Sequence, residues 1–375
     1  MHKLGDTLLL SASDLIGHLN CRHLTELDLR VAFGALAKPD TWDPQLQLLW
    51  ERGLRHEQEY IESLKSKGST VTVIEGAGVD DEATARTRAA MAGSAEIIVQ
   101  GAFRSGDWIG RTDVLRRIDT PSGLGPWSYE ATDTKLARET KSGTVLQLCL
   151  YAELVGDVQG LRPTNGYVVT PNSGYEPQAY RMDDYGAYFR RIRLGLVEAI
   201  NNRGKEETYP DPKAHCDICR WNQRCERRRR EDDHLSLVAG ASKLQIEELR
   251  RRGIETVAAL AAMPLPLAWK PSRGAAPSYE RIREQARIQI AGRKAGKLVH
   301  ELLPVNPGFG LACLPEPSPG DLFFDLEAIR SSAKAGWSTC SVTPIVSPTA
   351  LWPIPPTGRS HAKRKSPPSS ASSIS

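Results

Sequence analysis

Apolar positions recur every three or four residues from Leu8 to Ala37, through Leu15, Leu19, Leu24, Leu27 and Val31. This period predicts a helix, with Ser13 or Asp14 as its cap and Cys21 inside it. A second helix is expected from Asp43 to Lys67. Its apolar stripe is Leu46, Leu49, Trp50, Leu54, Ile61 and Leu64, and Gly53 lies in the middle, where it lets another backbone or a nucleic-acid strand approach. The period then shortens. Val71–Glu75 and Ile97–Phe103 read as strands around a helix from Asp80 to Ala92. Trp108–Asp119 and Trp127–Lys135 flank Pro121-Ser122-Gly123-Leu124-Gly125-Pro126, the composition of a turn between two strands of a hairpin. A helix from Gly143 to Val155, a strand from Tyr167 to Pro171 and a helix from Asp184 to Asn202 follow. The order predicts an α/β fold, a small mixed sheet flanked by helices, with a helical C-terminal segment.

Beyond Arg230 the signals thin out. Ser242 to Leu260 reads as two short helices around Gly253-Ile254, either a helix–hairpin–helix that binds nucleic-acid backbone or a plain helical linker. Pro264–Tyr279 is Pro-rich, and Tyr279–Leu303 is a basic helix. Gly320 to Glu327 reads as a strand with Asp325 and Glu327 on one face. No acid follows Glu327, and we expect a shifted reading frame after it. From Ile329 to Ser375 the chain is Ser/Pro-rich, and disorder is expected. The expected divisions are 1–232, 233–304, 305–328 and 329–375.

Charge changes the picture only locally. Of the net +4, six positive charges lie between Ile329 and Ser375, which leaves the rest of the chain at −2. Nucleic-acid contact must therefore come from patches. No apolar run is long enough to span a membrane and no signal peptide is visible, so a cytoplasmic protein is expected. In that compartment the seven cysteines are thiols or metal ligands rather than disulfides.

The candidate chemistry sits on the hairpin. Asp113 lies on its first strand and Asp133 on its second, with Lys135 two residues on and on the same face. An Asp-x-Lys on a strand is a solvated ion pair in most settings. A second carboxylate on the neighbouring strand turns it into a site for a divalent cation, Mg2+ or Mn2+, with the lysine beside an attacking water. His56 is either a surface histidine or an imidazole completing that site. Gln147 and Tyr151, four apart, share a helix face just after the Asp-x-Lys strand. Cys216, Cys219 and Cys225 follow a C-x2-C-x5-C spacing beside His215. They are idle thiols, a structural zinc site, or, with Cys21 as a distant fourth ligand, a 4Fe-4S site. Arg227 to Arg230 is a solvated face or a phosphate grip.

Four motifs in order carry a resemblance: Gly53-Leu54-Arg55-His56-Glu57, Gly110-Arg111-Thr112-Asp113, Asp133-Thr134-Lys135 and Gln147-Leu148-Cys149-Leu150-Tyr151. From about residue 8 to 230 the chain resembles the RecB-like branch of the PD-(D/E)XK nucleases. The resemblance implies a restriction-endonuclease-like core. It implies that His56, Asp113 and Asp133 hold the metal, that Lys135 serves catalysis, and that Gln147 and Tyr151 complete the site. The cysteine set is similar to that of the iron–sulfur nucleases AddB and the CRISPR-associated RecB-like exonucleases, which implies a 4Fe-4S cluster on Cys21, Cys216, Cys219 and Cys225. The expected activity is cleavage of DNA, single-stranded or with free ends, in repair, recombination or defence. In related RecB-like nucleases this domain precedes an RNase H-like exonuclease domain, whose first Asp-x-Glu motif Asp325 and Glu327 resemble, and in some a helicase. A helicase partner is thus expected. The rival expectations are a non-catalytic nucleic-acid-binding module and a decayed fragment of a larger nuclease–helicase.

Overall fold

The computed structural model describes residues 1–40, 44–205, 207–304, 307–316, 323–326 and 340–343. It divides into two units, Met1–Glu301 and Leu302–Ser375.

The first unit opens on a hairpin, β1 (His2–Leu4) and β2 (Thr7–Leu9), followed by α1 (Ala12–Asn20) and α2 (Arg22–Ala32). The single helix expected from Leu8 to Ala37 is therefore a strand and two helices. Its cap is Ser11, whose N–H and hydroxyl donate to the Asp14 carboxylate in a capping box. The break falls at Cys21, an extended residue (φ −159°, ψ 114°) that ends α1 and starts α2. Neither Gly nor Pro marks it, so periodicity runs straight through. Cys21 thus lies between two helices, not inside one.

Next come α3 (Pro44–Ser66), β3 (Val71–Val73), α4 (Asp81–Ala92), β4 (Ile97–Ser105), β5 (Trp108–Ile118) and β6 (Ser128–Thr134). Then α5 (Ser142–Gln159), β7 (Asn165–Val169), β8 (Gln178–Arg181) and α6 (Met182–Asn201) complete the α/β part. Six strands form one mixed sheet in chain order, β3 to β8. Pairs β3/β4 and β6/β7 are parallel and the other three antiparallel. The parallel β6/β7 pair needs a crossover, and α5 supplies it. Sequence reading missed β1, β2 and β8, whose three or four residues are too short to show a period.

Alternation along the strands builds two cores. Ile98, Leu115, Tyr129 and Ala131 face α1, α5 and α6, packing on Leu15, Leu146, Leu150 and Phe189. Ile97, Val99, Val114 and Val169 face the other way, onto Tyr60 and Leu64 of α3. Helix α5 is apolar on nearly every side because it is covered on nearly every side. Gly110 lets it approach: a Cβ there would stand 2.7 Å from Leu154 Cδ1 and 3.1 Å from Tyr151 Cε1.

The helical C-terminal segment holds α7 (Asn222–Glu231), α8 (Lys243–Arg251), α9 (Val257–Ala262) and α10 (Ala276–Ala295). Leu235, Leu249, Val257, Leu260, Tyr279 and Ile282 give it a separate core. Ser242 and Thr256 cap α8 and α9. The basic helix starts at Ala276 and ends at Ala295, stopped by Gly296 in the left-handed region, rather than running from Tyr279 to Leu303.

In the second unit β9 (Phe323–Leu326) pairs antiparallel with β10 (Cys340–Thr343), Asp325 opposite Ser341. Residues 340–343, expected to be disordered, form a strand. Glu327, the rest of the expected disordered tail and the expected frame shift lie outside the described residues.

Candidate active site

The β5/β6 ladder starts at Val114 opposite Thr132, so the next pair outward is Asp113 opposite Asp133. Val114 faces α3, while Leu115 and Ala131 face α5. Alternation therefore puts both aspartates on the α5 side of the sheet. Thr134 donates to Asp113 Oδ2 twice, from its N–H at 2.7 Å and its hydroxyl at 2.9 Å. Lys135 follows the last residue of β6, and its N–H still donates to Val169 O.

Asp133 is fully buried. Gln147 Nε2 donates to its Oδ1 at 2.9 Å. Lys135 Nζ lies 2.6 Å from Oδ2 and pairs with it. Burial, and then the charge of Asp113, pushes the Asp133 carboxyl up to about 7. A fully buried carboxylate beside a second carboxylate calls for positive charge, which Lys135 supplies in part and a cation would complete. Burial pulls the Lys135 ammonium down, but Asp133 and Asp113 outweigh it and the net shift is upward. Gln147 and Tyr151 complete the support: Gln147 Nε2 reaches Tyr151 Oη at 2.8 Å, and that hydroxyl donates to Arg111 O at 2.7 Å. This ties α5 to β5 through the backbone of the residue two before Asp113.

His56 comes from the opposite layer. It is buried rather than on the surface, and its Nε2 stands 3.2 Å from Val169 O, the carbonyl that also takes the Lys135 N–H. A carbonyl only accepts, so Nε2 is the donor in this contact and Nδ1 is the ring nitrogen not engaged in it. A histidine that binds metal is oriented in this manner. Gly53 serves no backbone crossing among the described residues; a Cβ there would meet only Leu136 Cδ1, at 4.0 Å.

Sequence reading quoted Glu57 within a motif but gave it no place in the site. It shares the inward α3 face with Tyr60 and Leu64, three and seven residues on, and that spacing was the available signal. Burial, and then Asp113, raises its carboxyl. Gln100 Nε2 donates to Glu57 Oε1 at 2.5 Å, while Gln100 Oε1 accepts from Arg111 Nε at 2.8 Å. Gln100 sits across from Asp113 in register with φ +58°, a strained left-handed residue within a strand.

A family model of the PD-(D/E)XK nuclease superfamily matches residues 22–226. The chain belongs to the PD-(D/E)XK nuclease superfamily. The superfamily uses divalent metal, and the chemistry of this member's donor set, two carboxylates on one face of the sheet, fits that use. Among the described residues no group of three His, Cys, Asp or Glu side chains already stands ready to hold an ion; at Asp133 the Lys135 ammonium supplies the positive charge instead. A solved structure titled "Crystal structure of SSO0001" is similar, at 13% identity over 60% of this chain and 88% of that one, with a TM-score of 0.26. No curated protein matches. No helix among the described residues is long and apolar enough to cross a membrane.

This PD-(D/E)XK chain carries a second constellation. Cys21, Cys216, Cys219 and Cys225 line one small cavity together with His215. Leu24, Leu27 and Trp221 wall it. All four thiols are free. Burial, and then the neighbouring thiol Cys219, pushes Cys225 up to about 11, while burial foremost raises Cys219. Burial thus keeps Cys219 and Cys225 as neutral thiols in this cavity. The arginine run beside them is largely engaged within the protein. Arg228 pairs with Asp232, Arg230 with Glu226, and the buried Arg229 donates to Pro210 O.

Proposed function

We propose that this chain is a metal-dependent deoxyribonuclease of the RecB-like kind, acting in repair, recombination or defence. The observation that carries the reading is the cross-strand placement of Asp113 and Asp133 on one face, with Lys135 Nζ 2.6 Å from the buried Oδ2. Asp113 and Asp133 would hold Mg2+ or Mn2+, and His56 would offer Nδ1. Bound there, the cation polarises the scissile phosphate and makes a coordinated water more acidic. Lys135 orients the attacking water and steadies the charge developing on the phosphate. Gln147 fixes the Asp133 carboxylate, Tyr151 fixes Gln147, and Thr134 fixes Asp113. Glu57 adds a third negative charge to the same field.

The cysteines would hold a 4Fe-4S cluster that joins the α1–α2 break to the segment before α7, with no redox duty. His215 in the same cavity makes zinc the rival, and counting iron separates the two. The deciding assay uses anaerobically prepared protein on single-stranded and duplex DNA with Mg2+ and with Mn2+. Wild type degrades DNA only with metal, and Lys135→Ala does not. Equal behaviour of the two proteins removes the catalytic assignment and leaves the binding module.

A further inference from the structure

Helix α3 uses one face for two purposes. Trp50, Gly53, Glu57, Tyr60 and Leu64 follow at spacings of three and four, so they share that face. Its second half is covered: Tyr60 is 1% exposed and Leu64 8%. Its first half is open, and the apolar stripe expected to be buried there is not. Trp50 is 65% exposed, with Leu49 at 51% and Leu54 at 40% beside it. Trp50 makes no ring contact among the described residues. It lies seven residues before Glu57, roughly 10 Å along the helix from the carboxylate field. Gly53 lies between them and leaves the helix backbone bare. There α3 meets Leu136, on the loop that follows Lys135 and carries the exposed Arg138 and Lys141.

We propose that Trp50 is the stacking platform for an unpaired base of a single-stranded nucleic-acid substrate on its way to Asp113 and Asp133. The proposal rests on the nuclease reading above. An exposed indole offers its face to any base without regard to sequence, but the base must be unpaired to use it. The side-chain-free turn at Gly53 leaves room for the sugar-phosphate backbone, and the exposed Arg138 and Lys141, which outnumber the exposed Glu139 on the same loop, suit its charge. A paired duplex presents no free base face, so the platform selects for single strands.

The test measures binding, not cleavage, on the full chain. A labelled single-stranded oligonucleotide and a blunt duplex of equal length are titrated in chelator and followed by anisotropy. Trp50→Ala weakens single-strand binding about tenfold and leaves duplex binding unchanged, while Trp50→Phe keeps most of the affinity. An equal loss on both substrates, or no loss on either, overturns the proposal. So does a wild type that self-associates through this face and is made monomeric by Trp50→Ala, since the occupant is then protein. A wild type that binds single strands through Trp50 but cleaves nothing removes the nuclease reading and leaves this one standing. A nuclease indifferent to Trp50→Ala does the reverse.

Discussion

The two constellations of this chain are assembled by opposite means. Asp113 and Asp133 are brought together by strand register, twenty residues apart across one hairpin, and each is fixed by hydrogen bonds from Thr134 or Gln147. The cysteines are brought together by the return of the chain after nearly two hundred residues. Their sulfurs are held by a few backbone groups: the Lys213 N–H donates to Cys216 Sγ at 3.4 Å, and the Trp221 N–H to the Cys219 thiol. The carboxylate site is therefore organised by the protein before any ion arrives. In the proposed reading the cysteine site supplies donors and little scaffolding, and a bound centre would add to its order. One site costs stability to hold a buried charge, and the other would gain stability from its ligand.

The largest expected effect tests the first half of that contrast. Asp133→Asn removes the buried charge but keeps the shape and the acceptor for Gln147. Cleavage falls on the order of 10³-fold, several kcal/mol of transition-state stabilisation. The melting temperature of metal-free protein changes little, because removing a carboxyl pushed up to about 7, a destabilised charge at neutral pH, offsets the lost pairing with Lys135. A marked drop in melting temperature would mean that Asp133 holds the fold rather than the ion. Cys21→Ser is expected to do the converse. Losing a ligand that binds only the folded state removes about 3 kcal/mol, or about 10 °C of melting temperature. Bound iron and visible absorbance go with it, while the rate per folded molecule at low temperature stays within a few-fold of wild type. Full iron content and an unchanged melting temperature in Cys21→Ser would break the comparison.

The same contrast explains what could be read from the sequence. The hairpin carrying Asp113 and Asp133 was legible because alternation is a local property, but that the two carboxylates share a face follows only from the strand register. Gln147 and Tyr151 were legible because helical spacing is local too. His56 and Glu57 were harder. They sit on a helix whose apolar stripe is half covered and half open, so periodicity alone cannot say which turn meets the sheet. It put Leu49, Trp50 and Leu54, which are exposed, on the apolar stripe, and it gave Glu57 no role. The kink at Gln100 is invisible because glutamine gives no sign of a left-handed backbone. The break at Cys21 is invisible because tertiary contacts of α1 and α2 make it, not a helix-breaking residue.

A smaller effect sharpens the claim that the carboxylate site is organised in advance. Gln147 touches no substrate in the proposed reading; it only fixes Asp133 and is itself fixed by Tyr151. Gln147→Ala is expected to cost about 10–100-fold in metal affinity, read by titration calorimetry with Mn2+, with a matching loss of rate at low metal. Saturating metal restores most of the rate. If it restores none, Gln147 acts on the reaction directly and the scaffold account of this site is wrong.

The smallest effect concerns the protein's own tie across the cysteine region. Asp28 on α2 accepts from Trp221 Nε1 at 2.9 Å and pairs with Arg220 at 2.5 Å. It thus joins the early and late cysteine segments without any metal. Asp28→Asn keeps an acceptor for the buried indole and loses only the pairing with Arg220, whose side chain is 40% exposed. Such a pair contributes about 0.5–1 kcal/mol at most, so the melting temperature should fall by no more than about 1–4 °C, and by less in high salt. The ranking matters more than the size. If Asp28→Asn destabilises as much as Cys21→Ser, the segments are held by protein contacts and the bound centre is dispensable to the fold. If it is several-fold weaker, as expected, the thiols and what they bind are the clasp, and the two constellations differ in kind.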